Sequence, residues 1–328
     1  MTAASTPWIT TRRLRSHGLI LALCLWSAYM WDMSAPGLRD RAGNLKGTDF
    51  LHFYTLGLLA RNHDGAALYN MHAQSETAAA HVPAATGIKY LPLYPPQVSI
   101  LFAPLAKLSY TWALTAWLTL SGLIYFSCCY AMWRACRNLR QQKITTAILA
   151  LAFPAFWHLI AWGQTSAVAL ACFTAAFFAL RSKREFLAGM AFGCLIFKPQ
   201  LALGAAIVFI FAFSWRMLAG ALVSSLLELL CAALYYGMQP LQSWINVLFR
   251  VGNQLALLEP KLYQTHCLRT FWGMLIPVTS VAIALYALSG VLIVVLLVFL
   301  LAKFIAALVA LFGSFVCKRI AGAASHGL

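Results

Sequence analysis

A segment near residue 50 carries the carboxylate best suited to chemistry. The sequence Gly47-Thr48-Asp49-Phe50 predicts a helix start, with Thr48 as the cap and Asp49 at the positive end of the helix dipole. Helical spacing puts Asp49, His52 and Leu56 on one side of a helix that we expect to lie on the bilayer surface. Asp49 could be a general base acting on a hydroxyl, with His52 nearby, or only a cap. A helix N-terminus weakens such a base unless burial raises its pKa again.

Three further polar positions interrupt apolar sequence. Tyr94 belongs to the rigid stretch Tyr90-Leu91-Pro92-Leu93-Tyr94-Pro95-Pro96, which could be a wall for a sugar ring or an isoprenoid chain, or a kinked entry into the membrane. Gln164, in Gly163-Gln164-Thr165-Ser166, could bind sugar hydroxyls or link two helices. Lys198 lies in an apolar stretch where an ammonium is costly, so it either binds an anion such as a lipid phosphate or snorkels to the surface.

Two more candidates precede the last long apolar run. His266 and Arg269 lie in Gln264-Thr265-His266-Cys267-Leu268-Arg269, and the planar fork of Arg269 could hold a phosphate or anchor the chain at the interface. Glu228 lies inside an apolar run, and its role stays open. The sequence has no nucleotide-binding motif and no metal-spaced group of histidines and cysteines. We therefore expect neither a metal nor a cofactor.

The chain that carries these residues is too apolar for a soluble protein. Of its 328 residues 62% are hydrophobic and 10% charged, against about 45–50% and about 25% in soluble domains. The apolar runs 144–162, 201–215 and 278–301 approach the ~20 residues that cross a bilayer. The composition predicts an all-α polytopic membrane protein. It excludes cytoplasmic enzymes, secreted disulfide scaffolds and, despite a formal net charge of +16, ordinary nucleic-acid binders.

Charge and hydropathy predict one membrane domain over residues 1–328, with about nine or ten spans. The basic clusters at 12–15, 134–143 and 181–184 are expected to stay cytoplasmic, and the first span to be retained, not cleaved as a signal peptide. The stretch 97–108, which contains Pro104, could cross the membrane or lie at its interface. The predicted segments are a cytoplasmic N-terminus (1–16), an extracytoplasmic catalytic loop (34–93), a helical bundle (94–236), a second extracytoplasmic loop (237–272) and C-terminal spans (273–328).

This topology brings both loops, Tyr94, Gln164 and Lys198 to one extracytoplasmic face, where they would form a site. The ordered set of motifs resembles glycosyltransferase family 87, which includes polyprenol-phosphate-mannose-dependent mannosyltransferases of the GT-C fold. The resemblance runs from Gly47 to Arg269. The motifs that carry it are Gly47-Thr48-Asp49-Phe50 with Phe53-Tyr54, Ala67-Leu68-Tyr69, Tyr94-Pro95-Pro96 with Ala103-Pro104-Leu105, Gly163-Gln164, and Phe197-Lys198-Pro199-Gln200.

The resemblance implies a GT-C-like fold, with interfacial helices in a long first extracytoplasmic loop, and an inverting hexosyltransferase that has Asp49 as its catalytic base. The implied donor is a sugar linked to polyprenyl phosphate, with mannose as the leading candidate. The implied acceptor is a hydroxyl of a glycolipid or glycan. The implied location is the extracytoplasmic face of the bacterial inner membrane. Membrane lipids are expected as partners, and nucleic acid is not. From chemistry and position, His52, Tyr94, Gln164, Lys198, His266 and Arg269 are the expected substrate-binding residues.

Two other functions compete with this one. A transporter or flippase of lipid-linked sugars would have internal repeats and charges near the bilayer midplane, of which Glu228 is the one strong candidate. An inactive scaffold is the third hypothesis. It follows from the simple apolar sequence after residue 278, where members of the family usually carry further conserved sequence and more spans, so that the chain could be a short or truncated member.

Overall fold

The computed structural model of the protein describes residues 10–250, 268–296 and 299. The chain forms two compact units, Met1–Val251 and Gly252–Leu328, and each is described by itself. No β-strand occurs among the described residues, where only Arg39 and Leu45 form an isolated bridge. The all-α prediction is therefore confirmed. The helices of the first unit are α1 (Thr11–Met33), α2 (Thr48–Arg61), α3 (Met71–His81), α4 (Gln97–Phe102), α5 (Tyr110–Ala135), α6 (Arg137–Gln141), α7 (Lys143–Ala152), α8 (Pro154–Trp162), α9 (Ser166–Arg181), α10 (Glu185–Gly193), α11 (Pro199–Phe211), α12 (Trp215–Tyr236) and α13 (Gln239–Arg250).

The second unit has two described helices, α14 (Leu268–Leu275) and α15 (Thr279–Leu296). Within this unit the indole Nε1 of Trp272 donates a hydrogen bond of 2.9 Å to the hydroxyl of Ser289. Among the described residues, α5, α12 and α15 are long and apolar enough to cross a membrane, and α7 with α8 makes a fourth span if the bent pair is one crossing. The polytopic prediction is confirmed. Because α9, α10 and α11 are shorter apolar helices, nine or ten spans stay a prediction.

The helical segment in the apolar run 144–162 is broken in the middle. Helices α7 and α8 meet at an angle of 44°, because Pro154 has no N–H to continue the ladder of α7. Two side chains donate hydrogen bonds to backbone carbonyls at the end of α7 instead. The hydroxyl of Tyr125 donates to the carbonyl O of Ala150 at 2.8 Å, and the indole of Trp26 donates to that of Leu151 at 3.0 Å.

Helix α2 is the centre of the first unit. Every residue from Phe50 to Ala60 is buried, as expected of a helix that is apolar on all sides. The rings of Phe50 and Phe53 pack on Phe102 with centroids 6.3 and 4.9 Å apart. The sequence analysis did not anticipate this burial by neighbouring elements of the same chain, and the position of α2 at the bilayer surface stays a prediction. Helix α4 packs against α2 and, with six residues, is too short to cross a membrane.

Helices α10 and α12 pack through small residues. A Cβ on Gly189 would lie 2.0 Å from the carbonyl O of Met217, and one on Gly193 would lie 2.2 Å from that of Ala221. Gly189 and Gly193 are four residues apart on one face, a spacing that lets two membrane helices approach closely. The contact fixes the short 3-10 turn Cys194–Phe197, which carries the chain from α10 to Lys198.

The first unit has two chemically different ends, joined by α5. At the start of α5 the hydroxyl of Tyr110 donates to the carbonyl O of Lys46 at 2.7 Å, beside Asp49. At its other end the guanidinium of Arg181 donates to the carbonyl O of Ala135 at 3.1 Å. Arg15 donates at 2.8 Å to the hydroxyl of Thr145, near the start of α7. The three basic clusters thus gather at one end, which we call the basic end, and Asp49 lies at the other.

Candidate active site

Asp49 lies in the first turn of α2, which is held by backbone contacts. The helix begins after Gly47, which has a left-handed φ of 67° and offers no side chain to cap it. Thr48 turns back and donates its hydroxyl to the carbonyl O of Leu45 at 2.6 Å, so the prediction that Thr48 caps the helix is wrong. The hydroxyl of Tyr90 in turn donates to the carbonyl O of Thr48. These contacts fix the first turn of α2 and with it the direction in which the side chain of Asp49 points.

Gln164 reaches Asp49 because α8 ends in a tight turn. Gly163 closes α8 with a left-handed φ of 70°, and a Cβ at this position would lie 2.7 Å from the Cβ of Phe50. The indole of Trp117 donates to the carbonyl O of Gly163 at 2.9 Å, which holds the turn from the other side. The side-chain amide of Gln164 then donates from Nε2 to Oδ2 of Asp49 at 2.8 Å.

Lys198 is joined to Asp49 through two polar side chains. Its Nζ donates to the hydroxyl of Ser166 at 3.1 Å, and that hydroxyl donates to Oε1 of Gln164 at 3.2 Å. We call Lys198, Ser166, Gln164 and Asp49 the polar chain. It joins a cation to a carboxylate through three segments that are far apart in sequence.

Burial shifts the pKa of both ends of the polar chain. Burial raises the pKa of Asp49, while the hydrogen bond from Gln164 and the charges of His158 and Lys198 lower it. Burial lowers the pKa of Lys198, and the charge of Asp49 opposes that shift. A carboxylate with a raised pKa is a stronger base than an exposed aspartate.

Three aromatic rings form a layer next to Asp49. The ring of His52 lies 4.8 Å from that of Tyr90 and 5.6 Å from that of Tyr94, measured between centroids. Burial, and after it the charge of Asp49, raises the pKa of Tyr94 to about 12. Burial also raises the pKa of Tyr90, so both tyrosines stay neutral near Asp49.

His52 is the buried histidine of this layer. It is 5% exposed, and burial lowers its pKa to about 4, so the ring is neutral. Its Nε2 has no hydrogen-bond partner among the described residues. The cavity that His52 shares with Tyr94 and Tyr69 has a volume of 10 Å³, which is too small for any group of a sugar substrate.

A larger cavity of 370 Å³ begins beside the polar chain. Thr165, which follows Gln164, lines it together with apolar side chains such as Val168, Phe102 and Phe197. Its polar wall is Glu228, which accepts a hydrogen bond of 3.4 Å from the amide of Gln97. The rest of its lining is mainly apolar.

The structure thus brings Asp49, His52, Tyr94, Gln164 and Lys198 together. His266 lies outside the described residues, and Arg269 is exposed on α14 of the second unit. The sequence analysis missed His158, whose charge acts on Asp49; an ionisable residue inside an apolar helix was the available signal. Among the described residues no group of three histidine, cysteine, aspartate or glutamate side chains could hold a metal ion.

Comparison with known proteins decides the family. The sequence profile of glycosyltransferase family 87 matches residues 93–319, more than half of the chain. The chain belongs to glycosyltransferase family 87. The protein is therefore a membrane glycosyltransferase. The matched range contains Tyr94, Gln164 and Lys198 and continues through the C-terminal apolar region, whereas Asp49 and His52 precede it. No curated protein and no solved structure matches the chain.

Proposed function

We propose that this glycosyltransferase transfers a hexose from polyprenyl phosphate to a hydroxyl of a glycolipid or glycan, and that mannose is the leading candidate for this hexose. The observation that carries the proposal is the polar chain, which joins Asp49 to Lys198 through Gln164 and Ser166. Such a chain supplies a base and a cation in one site. Membership of a glycosyltransferase family favours transfer over the alternative of a transporter.

The proposed reaction is a direct displacement with inversion. The acceptor oxygen forms a bond to C1 of the sugar as the bond from C1 to the phosphate oxygen breaks, and the bonding electrons leave with the polyprenyl phosphate. The acceptor proton moves to Asp49. Since Gln164 binds Oδ2, we assign proton transfer to Oδ1. A lipid phosphate is a reasonable leaving group, so the protein mainly positions the reactants and stabilises negative charge.

The other residues have roles that follow from their chemistry. Lys198 attracts the departing phosphate, and the ring of Tyr94 lines the sugar site. Gln164 orients Asp49 and binds a sugar hydroxyl through its remaining hydrogen-bonding capacity. The 370 Å³ cavity next to Thr165 accepts the first isoprene units of the donor. His52 packs against the rings of Tyr90 and Tyr94 and positions them.

We also propose that the site faces the extracytoplasmic side of the bacterial inner membrane. The support is the position of the three basic clusters at the opposite end of the first unit, since short basic segments stay cytoplasmic. A donor on polyprenyl phosphate suits that side, where nucleotide sugars are absent.

Mass spectrometry of envelope glycolipids and glycans tests the proposal. A strain that lacks the gene is compared with the same strain carrying the wild-type chain. We expect one glycan to lose a single hexose in the deletion strain and regain it on complementation. The mass difference identifies the sugar class, and the altered glycan identifies the acceptor. An unchanged profile in a strain shown to express the protein would contradict the proposed transfer.

A further inference from the structure

A groove lies at the basic end of the first unit, away from the polar chain. It runs between α1 and the break that separates α7 from α8, and its volume is 800 Å³, within the range of ligand sites. We call it the α1–α7 groove. Its lining includes Arg13, His17, Leu21, Leu149, Phe153 and Pro154.

Close helix packing and the helix break shape this groove. Gly18 lets α1 approach α7, since a Cβ there would lie 2.9 Å from Cγ2 of Ile148. The bend at Pro154 then turns α8 away by 44° and opens the space in front of Phe153. The close contact between α1 and α7 therefore forms the bottom of the groove, and the bend between α7 and α8 forms one end of it.

The groove is polar at its mouth and apolar inside. Arg13 and His17 lie at the mouth, and the ring Nδ1 of His17 is 2.7 Å from the carbonyl O of Arg13. Leu21, about two turns beyond Arg13 along α1, is 42% exposed, and Leu149 on the facing wall is 40% exposed. The groove therefore has basic side chains at its mouth and hydrocarbon side chains further in. This arrangement matches a lipid with an anionic head group and an apolar tail.

The surrounding charge has one sign. Segments 10–17 and 134–143 meet through the contact of Arg15 with Thr145 and Gln142. Together they contain seven lysine and arginine residues and no aspartate or glutamate. Clusters of this kind next to membrane helices attract anionic lipids.

We propose that the α1–α7 groove binds an anionic phospholipid, with the head group at Arg13 and one acyl chain along Leu21 and Leu149. The lipid would cover apolar side chains that α1 and α7 leave exposed and would connect the two helices across the α7–α8 break. This site is independent of the proposed transfer reaction.

Native mass spectrometry of the full chain tests the proposal. The protein is delipidated, reconstituted in nanodiscs of phosphatidylcholine with a minority of phosphatidylglycerol, and released for lipid counting. We expect one phosphatidylglycerol to be retained in preference to phosphatidylcholine. Arg13→Gln should reduce that preference about fivefold, since each basic residue near an anionic head group contributes about that factor.

Two matched controls separate a site from general charge. Arg216 is exposed at the start of α12, so Arg216→Gln should leave retention unchanged. Leu21→Trp fills the groove and should abolish retention, whereas Leu23→Trp, at a residue that is 59% exposed and does not line the groove, should not. Equal retention by Arg13→Gln and wild type, or equal losses in Arg13→Gln and Arg216→Gln, would overturn the proposal. Increased retention on deletion of residues 2–9 would also overturn it, because the chain's own N-terminus would then be the occupant.

Discussion

At the scale of single residues, Asp49 is subject to two opposing effects. The N-terminus of α2 and the donor Gln164 favour its ionised form, whereas burial favours the neutral form and is the largest of the causes that act on its pKa. The outcome is a raised pKa in a carboxylate that is still held by a directional hydrogen bond. This combination suits a general base that accepts a proton from a hydroxyl.

Removal of Gln164 should move the pH dependence of transfer. Transfer requires ionised Asp49, so the rate falls as the pH drops through its pKa. Gln164 lowers that pKa, and Gln164→Leu should therefore shift the acidic limb of the pH–rate profile to higher pH, besides lowering the rate. Gln200→Leu, a matched change at an exposed residue, should leave the limb in place. An acidic limb that is unmoved or moves to lower pH in Gln164→Leu would contradict the role of Asp49.

His52 should make the fold sensitive to mild acid. Its pKa is lowered to about 4 in the folded protein and is about 6.5 in an unfolded chain. Stability is therefore lost as the pH falls from about 6.5 towards 4, because the unfolded chain gains a proton first. Near pH 5 the loss is about 2 kcal/mol.

The variant His52→Phe keeps a ring in the layer and removes this titration. We expect the apparent Tm of the wild type to drop more between pH 7.5 and pH 5 than that of His52→Phe, measured by thermal unfolding in the same detergent. Equal drops in the two proteins would show that His52 is not buried in a neutral form.

The residues of the site could be predicted better than their contacts. Asp49, Gln164 and Lys198 stand out because polar groups are rare in apolar sequence and costly there. The role of Ser166 as the link between Lys198 and Gln164 could not be read from the sequence, because it depends on where α9 begins relative to α11. His158, on α8, was missed although an ionisable residue inside an apolar helix is itself a signal.

At the scale of the helices, the turn after α8 determines whether Gln164 reaches Asp49. Gly163 adopts a left-handed conformation and touches Phe50, the residue that follows Asp49. Any side chain at position 163 must both strain the backbone and push α2 away from the turn.

The variant Gly163→Ala should therefore lose both stability and activity. We expect a decrease of about 2 kcal/mol in the free energy of unfolding, measured as a lower apparent Tm, together with slower transfer. Gly122→Ala is the matched control, since a Cβ at Gly122 inside α5 would meet no atom within 4 Å. It should be neutral or stabilising by about 0.5–1 kcal/mol. A Gly163→Ala protein as stable and active as Gly122→Ala would contradict the role given to this turn.

Helix boundaries followed from the sequence more reliably than helix environments. The predicted apolar runs 201–215 and 278–301 begin within two residues of α11 and α15, and a proline accounts for the break at Pro154. The burial of α2 was missed, because a helix that is apolar on all sides at the edge of a polar loop suits either a bilayer surface or a protein core. Only the packing of α2 against distant helices distinguishes the two.

At the scale of the whole molecule, the first unit is polarised along α5. The basic clusters meet at one end through Arg15 and Arg181, while Asp49 and the polar chain lie at the other. Charge patterning predicted this separation, because short basic segments stay on one side of the membrane. The 26 residues of α5 span about 39 Å, enough to keep the two ends on opposite sides of a bilayer.

The most direct test of the account is the rate of sugar transfer by Asp49→Asn. Wild-type, Asp49→Asn and Asp40→Asn proteins are purified and reconstituted with radiolabelled polyprenyl-phosphate mannose and lipid extract from the deletion strain as acceptor. Asp40 is the matched control, because it is partly exposed and its carboxylate accepts a hydrogen bond of 2.7 Å from the backbone N–H of Asn44 in its own loop. We expect Asp40→Asn to match the wild type and Asp49→Asn to be slower by about 10²–10⁴-fold, with both variants folded. An Asp49→Asn protein that transfers mannose at the wild-type rate would contradict the assignment of Asp49 as the base.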